Sequence, residues 1–152
     1  MTGGKSPNIP VSWGELLDKI SILEIKRHRI RDLAARANVT KEHRLLCSVA
    51  GPAMRDEAIV PLLDELRSIN RQLWDTEDAI RREESRAVFG AAFVELARSV
   101  YKKNDRRAAL KRAINLQLRS ELVEEKSYCE TSALPHGSIS AGRAPVFRST
   151  RG

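Results

Sequence analysis

Six cations, Lys102, Lys103, Arg106, Arg107, Lys111 and Arg112, crowd eleven positions of the stretch ARSVYKKNDRRAALKRAIN. Side chains of this type at this density bind phosphate or carboxylate ligands, track a nucleic-acid backbone, or neutralise acids of their own protein. The candidate anion-binding set is Lys102, Lys103, Arg106, Arg107 and Lys111. Single-stranded nucleic acid calls for exposed aromatic rings beside the cations, and only Tyr101 qualifies. A helix-turn-helix starting at Glu95-Leu96-Ala97 would want a glycine near Tyr101 and an apolar residue near Arg107. Both requirements fail, so nucleic acid is not the expected partner. Asn104 or Asp105 reads as a helix cap, which places Arg106 and Arg107 in the first turn of a new helix. There a cation opposes the helix dipole at a cost of ~0.3–1 kcal/mol. Something negative must then stand close. Glu121, Glu124, Glu125 and the face from Asp75 to Glu84 are the internal candidates, and a small phosphate-like or carboxylate ligand is the external one.

Other chemistries find less support. A di-metal carboxylate bundle needs Glu-x-x-His pairs facing inward, whereas Glu24 and His28 stand four apart, as a helix-surface pair does. Glu15/Asp18 and Asp75/Asp78 have the spacing with which all-helical nucleotide pyrophosphatases hold magnesium. However, Glu15 belongs to a helix cap, and Asp78 and Glu77 stand four before Arg82 and Arg81, the spacing of ordinary surface pairs. Arg27, Arg67, Arg71 and Gln72 allow a sketch of a helical chorismate-mutase pocket, but Arg27 is more simply read as snorkelling out of the seam or meeting an acid of the second long helix such as Asp75 or Glu77. Cys47 has no compelling histidine partner, and no nucleophile elbow or phosphate loop occurs. No catalytic residue, metal site or cofactor is therefore expected. Cys47 and Cys129 are too few for a disulfide framework and read as reduced thiols.

The elements that carry these residues are helical. Ser12-Trp13-Gly14-Glu15 reads as a capping box, in which the Ser12 hydroxyl serves the Glu15 N–H and the Glu15 carboxylate reaches back. Leu16, Ile20, Leu23, Arg27, Ile30 and Ala34 then mark one seam, predicting a helix over 13–36. Residues 37–60 are less regular, with a short helix from Thr40 to about Val49 ended by Gly51-Pro52. Pro61 suits a first helical position, and Leu62, Leu66, Ile69, Leu73, Thr76, Ile80 and Glu83 predict a second long helix to about Arg86. Phe89, Phe93, Leu96 and Val100 share a face of a third helix ending near Tyr101. Leu110, Ile114, Gln117 or Leu118, and Leu122 mark a fourth. No strand-like alternation appears. The reading is an all-α, bundle-like protein: a long antiparallel hairpin with two shorter helices.

The net charge of +7 is uneven. Residues 61–86 hold five basic and seven acidic groups, and residues 102–119 hold seven and one. No run approaches the ~20 apolar residues of a membrane span, and the N-terminus lacks the apolar stretch of a signal peptide. A cytoplasmic location without a membrane partner is the default expectation. Residues 1–10 read as a flexible N-terminus, 11–128 as one helical domain, and 129–152, polar and aperiodic, as a disordered tail.

VSWGELLDKISILEIKRHRI (11–30), FVELARSVYKKNDRRAALKRAIN (93–115) and SELVEEKSY (120–128) together resemble a family of small bacterial proteins known only as a domain of unknown function. RQLWDTEDAIRREE (71–84) fits it as well. The resemblance runs from Ile9 to Tyr128, implies a helical fold and supplies no catalytic residues. It leads one to expect a glycine where Arg119 stands, and it makes the tail beyond Tyr128 an extension of this chain. The functional expectation is a non-enzymatic protein-interaction module that forms a homodimer and meets an unknown protein partner. A small-anion binder or a small helical enzyme is the alternative, and nucleic-acid binding through residues 102–112 is the third. The dimer follows from the apolar width that Leu17, Ile25, Leu33, Leu63 and Trp74 add beyond the hairpin seam.

Overall fold

The computed structural model describes residues 6–127. The expected tail and residues 1–5 of the N-terminal stretch lie outside the described residues. Four α-helices follow in order: α1 (Trp13–Arg29), α2 (Leu33–Ala50), α3 (Val60–Ser85) and α4 (Ala91–Gln117). A single 3-10 turn, Ala53–Arg55, precedes α3. The fold is all-α, and no strand occurs among the described residues.

The long antiparallel hairpin is α3–α4, and not the expected pairing of a helix over 13–36 with the helix over 61–86; α1 and α2, rather than the helices after residue 86, are the two shorter ones. The first predicted helix is in fact two. α1 stops at Arg29, Ile30 turns extended, and Asp32 caps α2 by accepting the N–H of Ala35 at 2.7 Å. Thr40 caps nothing: it sits inside α2 and its hydroxyl donates to the Arg36 carbonyl. The predicted third and fourth helices are one. Asn104 and Asp105 lie within α4, because the helix is held there by packing along α3 and by side-chain bonds rather than by local propensity. Arg106 and Arg107 are thus mid-helix, and the dipole argument made for them does not apply.

Both ends of α3 follow the sequence: Pro61 opens it and the chain leaves it at Arg86. Ala87 then adopts a left-handed φ of 54°, and the N–H groups of Ala87 and Val88 close on the carbonyls of Glu84 and Glu83. The exit of α4 is similar. Arg119 has a φ of 50°, and the Ser120 N–H donates to the Asn115 carbonyl at 2.8 Å. This is the backbone a glycine would adopt most cheaply, which accounts for the glycine expected there. The helix ends with the same turn despite the arginine.

Leu16, Leu17 and Ile20 of α1 meet Leu63, Leu66 and Ile69 of α3 and Leu110 and Ile114 of α4, with Ala50 and Ile59 closing the cluster. All of these residues lie in one half of the hairpin. Between Thr76 and Leu110 no residue is buried. At ~1.5 Å per residue, the 26 residues of α3 and 27 of α4 span about 40 Å, against about 25 Å for the 17 of α1. The short helix cannot sheathe the long pair. Leu17, Ile25 and Leu63, which were to widen an exposed surface, are instead core residues, and Trp74 is half-buried. Of that set only Leu33 is exposed, at 74%.

Candidate functional site

The basic stretch of α4 faces the acids of α1. Asp18, two per cent exposed, accepts from Arg107 Nη2 at 2.6 Å and Nε at 3.1 Å through Oδ2. Its Oδ1 accepts from Asn70 Nδ2 of α3 at 2.7 Å. Asn70 also donates to Ser21 Oγ, whose hydroxyl in turn donates to the Asp18 carbonyl at 2.8 Å. Three helices therefore close on one carboxylate. The Asp18 bonds hold the Arg107 guanidinium above its ordinary pKa in spite of its burial.

One turn further along, Lys111 is buried between two acids. Its Nζ donates to Glu15 at 2.5 Å and to Glu124 at 2.7 Å. Burial alone would lower its pKa, but the bonds to Glu124 and Glu15 outweigh it and the ammonium is held above its ordinary value. Glu124 moves the other way, held low chiefly by its bond from Lys111. Arg112 meets Glu125 at 3.0 Å. Through these pairs the segment after α4 is strapped to its last turns.

The start of α1 is tied into the same place. The Glu15 N–H donates to Ser12 Oγ at 3.2 Å, as the capping box requires. The return bond does not form, because the Glu15 carboxylate goes to Lys111 instead. The Gly14 N–H donates to Asn115 Oδ1 at 2.6 Å, and the Trp13 N–H to Ser120 Oγ at 3.3 Å. The end of α4 thus satisfies donors that α1 itself cannot. This is possible because residue 14 is glycine: a Cβ there would stand 2.5 Å from the Lys111 carbonyl oxygen.

The remaining cations of the candidate set are also placed. Arg106 pairs with Glu65 of α3, its Nε at 2.7 Å. Lys103 donates to the Thr76 hydroxyl at 2.7 Å. Lys102 is exposed and has no ion-pair partner among the described residues. The carboxylates come from Asp18, Glu15 and Glu65 as well as from the expected Glu124 and Glu125. Glu121 and the Asp75–Glu84 face provide none to this cluster. Among the described residues every buried side-chain nitrogen and oxygen has a partner.

A second polar cluster joins α1, α2 and α3. Glu24 takes a two-pronged bond from Arg67, both arms at 2.8 Å, and His43 lies 3.9 Å from the same carboxylate. Arg27 meets His43 at 3.3 Å, and the acid Asp75 is taken by Arg29. The Arg67 and Arg27 of the chorismate-mutase sketch are thus engaged with groups of the protein. Cys47 does have a histidine neighbour, His43 Nε2 at 3.5 Å. The spacing of four along one helix is the signal that would have found it. Burial, then Glu24, pushes the Cys47 thiol above its ordinary pKa, the reverse of what activates a nucleophile. Neither Glu77–Arg81 nor Asp78–Arg82 pairs. No group of three His, Cys, Asp or Glu side chains arranged to hold a metal occurs among the described residues.

This is an all-helical hairpin protein whose charged stretches are interlocked across three helices. The chain belongs to a family of unknown function (DUF6165), whose model matches residues 8–143. The match runs past Tyr128, so the residues immediately beyond it are part of the family's extent and not an addition peculiar to this chain. No curated protein and no solved structure matches it. Among the described residues no helix is long and apolar enough to cross a membrane.

Proposed function

We propose that the protein is a non-enzymatic interaction module that self-associates through the free end of the α3–α4 hairpin. The observation that carries this reading is the absence of any buried residue between Thr76 and Leu110, although that end is rich in apolar side chains. Val88, Phe89, Val94 and Tyr101 are 46, 54, 41 and 56% exposed. Phe89 and Phe93 pack edge to face on each other, 5.2 Å apart. A patch of this kind is uncommon on a monomer. Both signs of charge surround it: Glu77, Asp78, Glu83 and Glu84 beside Arg81, Arg82 and Lys102, none of them in an ion pair among the described residues. Such a surface is complementary to itself, which favours a second copy about a two-fold axis. A cytoplasmic location goes with this reading.

The saturated polar cluster argues for the non-enzymatic half of the proposal. An anion that bound at Arg107 or Lys111 would have to displace a carboxylate already in place. Light scattering at micromolar concentration should give a mass near twice 17.1 kDa. Phe89→Ser with Val94→Ser should return the mass to that of one chain with helicity unchanged. A monomeric mass for the unaltered protein would remove the proposal.

A further inference from the structure

We propose that the outer face of α2, with the corner that joins it to α1, is a docking surface for an anionic lipid bilayer. The cations of α4 are largely consumed by internal pairs. A different set is free. Residues 26–44 hold seven Lys and Arg against two acids, Asp32 and Glu42. Asp32 is occupied as the cap of α2, and Glu42 is paired with Lys19 of α1 at 2.7 Å. Among the described residues Lys26, Arg31, Arg36, Lys41 and Arg44 take part in no ion pair, and the last four are exposed.

α2 packs on α1 alone to any extent, and only Ala50 in it is buried. Its outer side is therefore open along its length. Leu33, Arg36, Ala37, Thr40, Lys41 and Arg44 line a shallow groove there. Besides Leu33, the helix also exposes Leu45 at 59% and Val49 at 63%. Aliphatic side chains and cations of one sign on a free helix are the combination that a surface-lying helix presents to anionic lipid: the cations to the phosphates, the aliphatics to the acyl boundary. A nucleic acid would use the cations but leave the leucines against water, and residues 26–44 hold no Phe, Tyr or Trp on which a base could stack. The hairpin end is different, since its charges are mixed and it has no excess of cations to offer. The expectation of no membrane partner rested on the lack of a spanning segment, which a helix lying on the surface does not need.

Flotation of the full chain with phosphatidylcholine vesicles, with and without phosphatidylglycerol, tests this. Binding is expected only to the anionic vesicles and should be lost at ~1 M salt, where the screening length is about 3 Å. Arg36→Glu, Lys41→Glu and Arg44→Glu together should weaken it by roughly a hundredfold or more, at about fivefold for each cation lost. Leu33→Ser with Leu45→Ser should weaken it at unchanged charge. Arg119→Glu, an exposed reversal just past α4, should leave it nearly unaltered, with circular dichroism confirming the fold of each variant. Absence of binding to the anionic vesicles would overturn the proposal. A comparable loss per charge reversed with Arg119→Glu would also do so, since binding would then follow net charge alone. Tight binding of duplex DNA without vesicle binding would assign the face to nucleic acid.

Discussion

The two ends of the α3–α4 hairpin are built from similar residues and do opposite things with them. At one end, Arg107, Lys111 and Asn115 reach into α1 and are matched bond for bond by Asp18, Glu15 and the Gly14 N–H. At the other, Arg81, Arg82, Glu83 and Glu84 have no ionic partner among the described residues, and Phe89 and Val94 are exposed. Helical propensity and charge content do not separate the ends. What separates them is a third helix. Where α1 lies against the pair, polar groups lose water and must be satisfied from within. Where it stops, they keep their water, and the apolar groups between them remain available to another surface. One end fixes the fold, and the other carries the surface proposed for self-association.

Substitutions at the closed end should therefore be costly in proportion to how many helices meet at the atom removed. The largest effect is expected from Asp18→Ala. It leaves Asn70 and Arg107 without their acceptor and should cost ~3–5 kcal/mol, read by urea denaturation. A loss below ~1 kcal/mol, the scale of a surface pair, would mean that the three-helix junction is not what holds α1 in place. Gly14→Ala should follow, at ~1–3 kcal/mol, because the new methyl meets backbone on α4 rather than a side chain that can swing away. An unchanged midpoint would show that the two helices separate freely. Ser12→Ala should cost about 1 kcal/mol, and it isolates the half of the capping box that forms. A melting temperature that does not move would remove that contribution.

The smallest effect concerns the strap and has a definite sign. Glu124 has its pKa lowered by Lys111. Its contribution to stability is therefore present above the ordinary carboxyl value of 4.5 and fades as the pH falls below it through the depressed value. Lys111 has its pKa raised, so its contribution holds below the ordinary 10.5 and is lost as the pH rises through the elevated value. Thermal melts of Glu124→Gln should show a shallower acid decline than those of the unaltered chain. Parallel curves would mean that the strap adds nothing.

Much of this architecture was legible in the sequence, for reasons that can be assigned to residues. Leu66, Ile69, Leu73 and Thr76 repeat at helical spacing and are buried, and Pro61 and Ser12 act as helix starts. The break at Ile30–Asp32 was not legible, because it has neither glycine nor proline and its only mark is a capping aspartate at Asp32. The continuity of α4 through Asn104 and Asp105 was hidden for the converse reason: two good caps are overridden by α3 lying alongside. The basic cluster announced a need for acids, and the nearby Glu124 and Glu125 were legible among them, but Asp18, Glu15 and Glu65 were not. Asp18 and Glu65 lie in other helices, and pairing at that separation depends on how helices cross, which no local pattern records. Gly14 looked like a neutral member of a cap, and its necessity comes from the Lys111 carbonyl on the other side of the junction.

Hydrogen exchange followed over a range of protein concentrations tests the contrast between the ends most directly. Amides of α1 and of α4 around Leu110–Asn115 should be protected equally at every concentration, since their partners are intramolecular. Amides from Ile80 to Val100 should exchange readily on dilution and gain protection as concentration rises. Protection of that segment equal to the closed end at every dilution, or indifferent to concentration, would contradict the division of the hairpin into a fixing end and a binding end.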